Sequence, residues 1–143
     1  MLVAVGSYSP PSKKSEIFED ENWRDIQEPL VDQRYYAFYA AIFYAGDFYY
    51  FGGTDGNDLS SILRLNAASW TWSNVGQMNS PRWGHAVTLV GNTFIIIGGF
   101  GTQPNEACTL NNDEFTCEEK SSTLESYFLT PLLYVVNDNY GNC

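Results

Sequence analysis

The chain has 143 residues, a formal net charge of −10, and 44% hydrophobic and 16% aromatic content. That apolar fraction rules out disorder as an account of the whole. The acidic balance argues against nucleic acid and anionic membrane surfaces, which call for basic patches. No run of about 18 apolar residues is present to span a bilayer as a helix, and Met1-Leu2-Val3-Ala4-Val5 is too short, and lacks the basic flank, for a secretory leader.

In chain order, Met1 to Gly6 reads as the end of a strand, and Ser15 to Trp23 as the strand that follows it together with a closing Trp. Tyr35 to Tyr44 is almost wholly aromatic and apolar, which makes sense only if it is buried between neighbouring units. Next come Gly46-Asp47-Phe48-Tyr49-Tyr50-Phe51-Gly52-Gly53, a polar turn over Thr54 to Asp58, Ile62 to Leu65, and Trp70-Thr71-Trp72. Gly76 to His85 then leads into Ala86 to Val90. Gly91-Asn92-Thr93-Phe94-Ile95-Ile96-Ile97-Gly98-Gly99 follows, with Ala107 to Leu110 and Glu114 to Glu118 after it, and Leu124 to Val136 has the content of one or two further strands, Pro131 placing part of it at an edge. Each run is short, rich in β-branched and aromatic residues, and bounded by Gly, Asn or Asp, which predicts strands; a helix needs a longer stretch at period 3.6.

The phrase ending in Gly52-Gly53 recurs at Gly98-Gly99, a spacing of about 46 residues, and self-similarity on that scale marks a repeat array. Approximate units are 1–30, 34–78 and 82–120, with the start of a further strand pair at 124–143. The twin glycines closing apolar strands, Trp72 and Trp23 further along each unit, and Arg82-Trp83-Gly84-His85 opening the next strand together resemble the kelch motif. Phe115 stands where that motif carries Trp, Tyr39 where His85 would fall, and Leu65-Asn66 where it often carries Tyr-Asp.

The resemblance implies an all-β fold: a partial kelch-type β-propeller of about three four-stranded blades, with incomplete blades at both ends. Propellers usually need 4 to 8 blades to close. The chain therefore reads as an arc of a larger propeller or an incomplete product, with blade faces left uncovered at its two ends. Such faces imply aggregation in isolation, or self-association that completes a ring.

Cys108 and Cys117 flank Asn112-Asp113, and a two-residue turn there would set 109 opposite 116, 110 opposite 115 and 108 opposite 117. A cross-strand disulfide is the expectation; two reduced thiols on neighbouring strands, the cytosolic norm, is the alternative. Cys143 has no evident partner in the sequence. The disulfide points to an extracellular parent protein, against a cytoplasmic alternative. Glu106 to Leu110, Phe115 to Cys117, Thr130 to Val136 and the terminal Tyr140 to Cys143 also resemble cysteine-bearing kelch-like ectodomains of marine invertebrates, which implies the same compartment.

Little in the sequence carries catalytic chemistry. His85 is the lone histidine, and the kelch resemblance implies that it packs or hydrogen-bonds within a blade; one imidazole does not make a metal centre. Asp55-Gly56-Asn57-Asp58 lacks the longer calcium-loop pattern and is accounted for by turn chemistry. Gly98-Gly99-Phe100-Gly101 lacks the Lys-Ser/Thr of a phosphate loop, so its glycines are read as permitting close backbone packing. A copper site of the galactose oxidase kind would need two His and a Tyr cross-linked to Cys. No catalytic residue, metal or cofactor is expected.

The function expected is a non-catalytic binding or adhesion module for a protein or glycan. Its candidate residues are Asp55, Asn57 and Asp58 after the first twin glycine, Gln103 and Asn105 after the second, and Arg34 and Arg82 where strands open. Surface turns and, for the arginines, internal salt bridges are the plainer reading of the same residues. A stiff structural spacer and an intracellular substrate adaptor are the alternatives, the latter by analogy of fold alone.

Overall fold

The computed structural model describes residues 2–8, 11–26, 39–100 and 103–121. Arg34, Tyr35 to Phe38 of the aromatic run, Thr102, the Leu124 to Val136 segment and Cys143 lie outside them. Among the described residues there are eleven strands and no helix: β1 (Leu2–Tyr8), β2 (Pro11–Glu19), β3 (Asn22–Ile26), β4 (Ala40–Tyr44), β5 (Asp47–Phe51), β6 (Ser61–Asn66), β7 (Thr71–Gln77), β8 (His85–Val90), β9 (Thr93–Gly98), β10 (Asn105–Asn111) and β11 (Glu114–Lys120). They form three antiparallel sheets, β1-β2-β3, β4-β5-β6-β7 and β8-β9-β10-β11, each a meander in which neighbours in sequence are neighbours in space. Among the described residues the sheets are open; none closes on itself or on another.

Short turns hold the meanders. Asp20-Glu21, Ala45-Gly46 and Asn112-Asp113 each have positive φ at both positions, the mirror-image geometry whose twist matches the flanking strands. The last of these sets Thr109 opposite Thr116, Leu110 opposite Phe115 and Cys108 opposite Cys117, and the two cysteines are joined in a disulfide, as the hairpin arithmetic predicts.

The second sheet is covered on both faces, which is why Tyr49, Tyr50 and Phe51 are buried in succession instead of alternating. On one face Tyr49, Phe51, Ile62 and Val75 meet Val87, Phe94, Ile96, Cys108 and Phe115 of the third sheet. Phe94 is the hub, with the rings of Tyr44, Tyr49, Phe51 and Phe115 at 4.9 to 6.0 Å, in tilted and edge-on contacts that suit the aromatic quadrupoles. On the other face Tyr50, Leu63, Leu65 and Trp72 meet Ile17 and Ile26 of the first sheet. β4 lies beside β8 and β7 beside β11, so the second and third sheets stack in matching order, first strand by first and fourth by fourth.

Two expectations are corrected. Gly6 does not end its strand: β1 runs on to Tyr8, and a register shift between Val5 and Ser7 absorbs the glycine as a bulge. The aromatic run is not uniformly buried either. Ala40 is buried, but Ala41 and Phe43 are exposed, Phe43 to 55%, because successive side chains of β4 alternate between its two faces and Ala40, Ile42 and Tyr44 take the one packed on the core shared with the third sheet.

Candidate binding loops and the buried ion pair beneath them

The segments after the two twin glycines are held together through Arg82-Trp83. The Gly53 N–H donates to the Arg82 carbonyl at 2.9 Å, the Arg82 N–H to the Leu59 carbonyl at 3.0 Å, and the Phe100 N–H to the Trp83 carbonyl at 2.9 Å. Glycine is required for this approach. A Cβ on Gly52 would lie 2.5 Å from the Arg82 carbonyl oxygen and 2.9 Å from that of Leu59. Gly99 is similarly close to Trp83, Arg82 and His85, at 3.2 to 3.4 Å. Gly84 and Gly98 take positive φ beside them.

The first candidate loop is a self-contained turn. Thr54 and Asp58 form a β-bridge. The Asp55 carboxylate accepts the Asn57 N–H at 2.9 Å, and the Thr54 hydroxyl accepts the Gly56 N–H at 3.1 Å while donating to the Asn57 carbonyl at 3.0 Å. These bonds fix the backbone and leave Asn57 and Asp58 exposed. Asp58 also borders a polar groove of about 700 Å³ between β7 and the β10–β11 turn, where Ser60, Asn74, Gln77, Asn112 and Glu114 present hydroxyl, amide and carboxylate groups.

In the second loop Gln103 and Asn105 are half-buried, and the Asn105 side-chain oxygen accepts the Gly98 N–H at 3.3 Å. Beside it Phe100, 55% exposed, stacks on Trp83 with ring centroids 4.7 Å apart and planes 19° from parallel. This pair is a functional candidate that the sequence reading passed over, since both residues were absorbed into motif patterns. The signal available was a bulky aromatic directly after a twin glycine, where a turn needs none.

Arg82 is placed differently from the other candidates. Its side chain is fully buried and its Nη2 donates to Glu106 Oε1 at 2.7 Å. The remaining donors reach the carbonyls of Gly98 (3.1 Å), Pro104 (2.6 Å) and Ser80 (3.3 Å). Glu106, equally buried, accepts the Asn79 and Ser80 N–H groups at 2.8 and 2.9 Å. Arg82 thus cannot offer its charge to a partner, and the internal salt bridge is the reading that holds. Burial pushes the guanidinium down from its ordinary pKa while Glu106 holds it up. Such a pair is tolerated because every donor and acceptor is matched.

His85 packs against this pair. It is 8% exposed, and its pKa is pushed down to about 4, first by burial and then by the Arg82 charge. Glu106, Cys108 and Cys117 bring three potential metal donors within 4.8 Å of one another. The two sulfurs are bonded to each other and the carboxylate is engaged by Arg82 and two backbone amides, so the trio acts as a structural joint.

Trp72, a motif residue, is 5% exposed in the core between the first and second sheets, whereas Trp23 is 49% exposed. No helix among the described residues is long and apolar enough to cross a membrane. Comparison with protein-family models and with curated proteins finds no match to this chain.

Proposed function

We propose that the chain is an arc of a kelch-type β-propeller from an extracellular protein, acting as a non-catalytic binding or adhesion module for a protein or glycan. Stacked antiparallel meanders with the twin glycines at matching strand ends support the propeller reading. The Cys108–Cys117 disulfide supports the compartment.

The observation that carries the binding reading is the exposed Phe100 ring, stacked on Trp83, whose neighbour Arg82 is bonded through its backbone to Gly53 just before the turn that bears Asp55, Asn57 and Asp58. An exposed aromatic held in place by a stacked neighbour suits a sugar face or a peptide side chain, since its free surface gives apolar contact. The buried polar groups Arg82 and Glu106 are engaged with each other and with the backbone, and serve packing.

The test is binding of the labelled chain to an array of glycans and extracellular-matrix peptides. It is repeated with Phe100→Ser and with Asp55-Gly56-Asn57-Asp58 replaced by Gly and Ser. The expected result is at least about a tenfold loss of binding in both variants with an unchanged circular dichroism spectrum. Undiminished binding by both would remove these loops from the site.

A further inference from the structure

The segment from Arg82 to His85 is the seam between the second and third sheets at their twin-glycine ends. Towards the second sheet, the Arg82 carbonyl accepts the Gly53 N–H and the Arg82 N–H donates to the Leu59 carbonyl. Towards the third, the Trp83 carbonyl accepts the Phe100 N–H, and the Arg82 side chain reaches Gly98, Pro104 and Glu106. The segment is thus anchored to the third sheet by a buried side chain and to the second by backbone bonds. Gly84, at positive φ, turns the chain directly into His85, the first residue of β8. A Cβ on Gly99 would stand 3.4 Å from the Cβ atoms of both Arg82 and His85, so these two side chains flank the second twin glycine together.

His85 is enclosed in this seam at 8% exposure, and neither ring nitrogen makes a hydrogen bond of good geometry among the described residues. A neutral imidazole brings one donor and one acceptor; the protonated ring brings two donors and a charge, so it is the costlier form to bury. The groups around it do not offset that cost. Arg82 places a fixed positive charge beside the ring, and its donors are tied to Ser80, Gly98, Pro104 and Glu106. Glu106, from β10, is taken by Arg82 and by the Asn79 and Ser80 N–H groups, and Glu119, from β11, acts on Arg82. From β9 comes the uncharged Gly98 backbone, opposite His85 in the ladder. From β5 comes the Phe51 carbonyl, which favours the charged ring less than burial and Arg82 oppose it.

We propose that His85 is an acid-sensitive latch: its protonation parts the Arg82-to-His85 segment from Gly53 and Leu59 of the second sheet and lets water reach the ring, while both sheets keep their strands. The segment yields on this side because two backbone bonds hold it there, whereas the buried Arg82 side chain keeps it with the third sheet. Opening frees the backbone at Gly53, and with it the entry to the turn that bears Asp55, Asn57 and Asp58, whatever that turn binds. The direction follows from the ring. Once opened, His85 takes up a proton at its ordinary pKa of 6.5, whereas the closed site refuses it until about pH 4. Opening therefore grows more favourable as pH falls between these values, by roughly twentyfold from pH 7 to pH 5.

The experiment is amide exchange of the wild type and of His85→Gln between pH 7 and pH 5, with and without sub-denaturing urea, each rate divided by that of an unstructured chain at the same pH. Expected in the wild type is a roughly twentyfold loss of protection at the Gly53 and Arg82 amides. Urea should leave that loss unchanged, since a local opening exposes little surface. The Phe100 amide, bonded within the third sheet, should keep its protection, and His85→Gln should show no loss over this range. Unchanged protection of Gly53 and Arg82 in the wild type overturns the latch, and so does an equal loss in folded His85→Gln. A loss that urea enhances and that spreads through both sheets also overturns it, because His85 would then act on global unfolding alone. If His85→Gln fails to fold, the ring signals of His85, the one histidine in the sequence, serve in its place. A midpoint near pH 4 is expected in the wild type; one near 6.5 would show the closed seam accepting the proton without opening, and the latch falls.

Discussion

Glu106 places a carboxylate in the interior, two residues from a buried cysteine on the same face of β10, where an apolar residue would cost nothing to desolvate. It is held there by Arg82 and two backbone amides, so removing the charge strands a buried guanidinium. Glu106→Gln is expected to cost about 3 kcal/mol or more in urea unfolding, and a double replacement of Arg82 and Glu106 by Met and Leu to cost less than the two single changes combined. His85 supplies a pH dependence of definite sign. Above pH 6.5 it is neutral in both folded and unfolded chains and contributes nothing; below that the unfolded chain takes up a proton that the folded site refuses until about pH 4. Stability attributable to His85 therefore falls as pH drops through this window, by roughly 3 kcal/mol. His85→Gln should flatten the fall relative to wild type between pH 6.5 and 4, and an identical slope would remove the site from the account. The disulfide was legible from sequence because a two-residue turn fixes the register of its own hairpin. The Arg82–Glu106 pair was not, because its members are 24 residues apart and meet only once β9 and β10 have paired.

At the scale of the element, the runs of aromatic and β-branched residues between Gly, Asn and Asp marked strands well, since both the pleat and its turns leave local signatures. What failed depends on the neighbour. A glycine that ends a strand and a glycine in a bulge look alike in sequence, as Gly6 shows, and whether Phe43 is covered is decided by a sheet that is distant in the chain. Gly52 and Gly46 separate two roles of a positive φ. Gly52, at φ +56, has Arg82 O at 2.5 Å and Met78 Cε at 2.6 Å from any added Cβ, whereas Gly46, at φ +91, has nothing within 4 Å. Gly52→Ala is expected to lower stability by at least about 2 kcal/mol, from overpacking added to backbone strain. Gly46→Ala should cost only about 1 kcal/mol, from the backbone alone. Thermal midpoints of the two variants, compared with wild type, measure the difference.

Across the whole molecule, the three sheets touch only their neighbours in the stack, so cohesion is close to a sum of each sheet and each junction. Ile17, fully buried at the first junction, is its natural break point. Ile17→Asp is expected to raise amide exchange through β1 to β3 by at least about tenfold while β5, β9 and β10 keep their protection; a uniform loss across all three sheets would show a single cooperative unit instead. The repeat spacing made the order of the stack legible. The Cys108–Cys117 bond has a mechanical consequence. It closes a sequence separation of 9 across a Cα distance of 4.1 Å, and that stretch would otherwise extend to about 30 Å. Under tension the hairpin tip cannot pay out: the oxidised chain, pulled from its ends, is roughly 25 Å shorter in contour length than the reduced one. A reductant would thus lengthen the chain under load by this one step without touching its other strands.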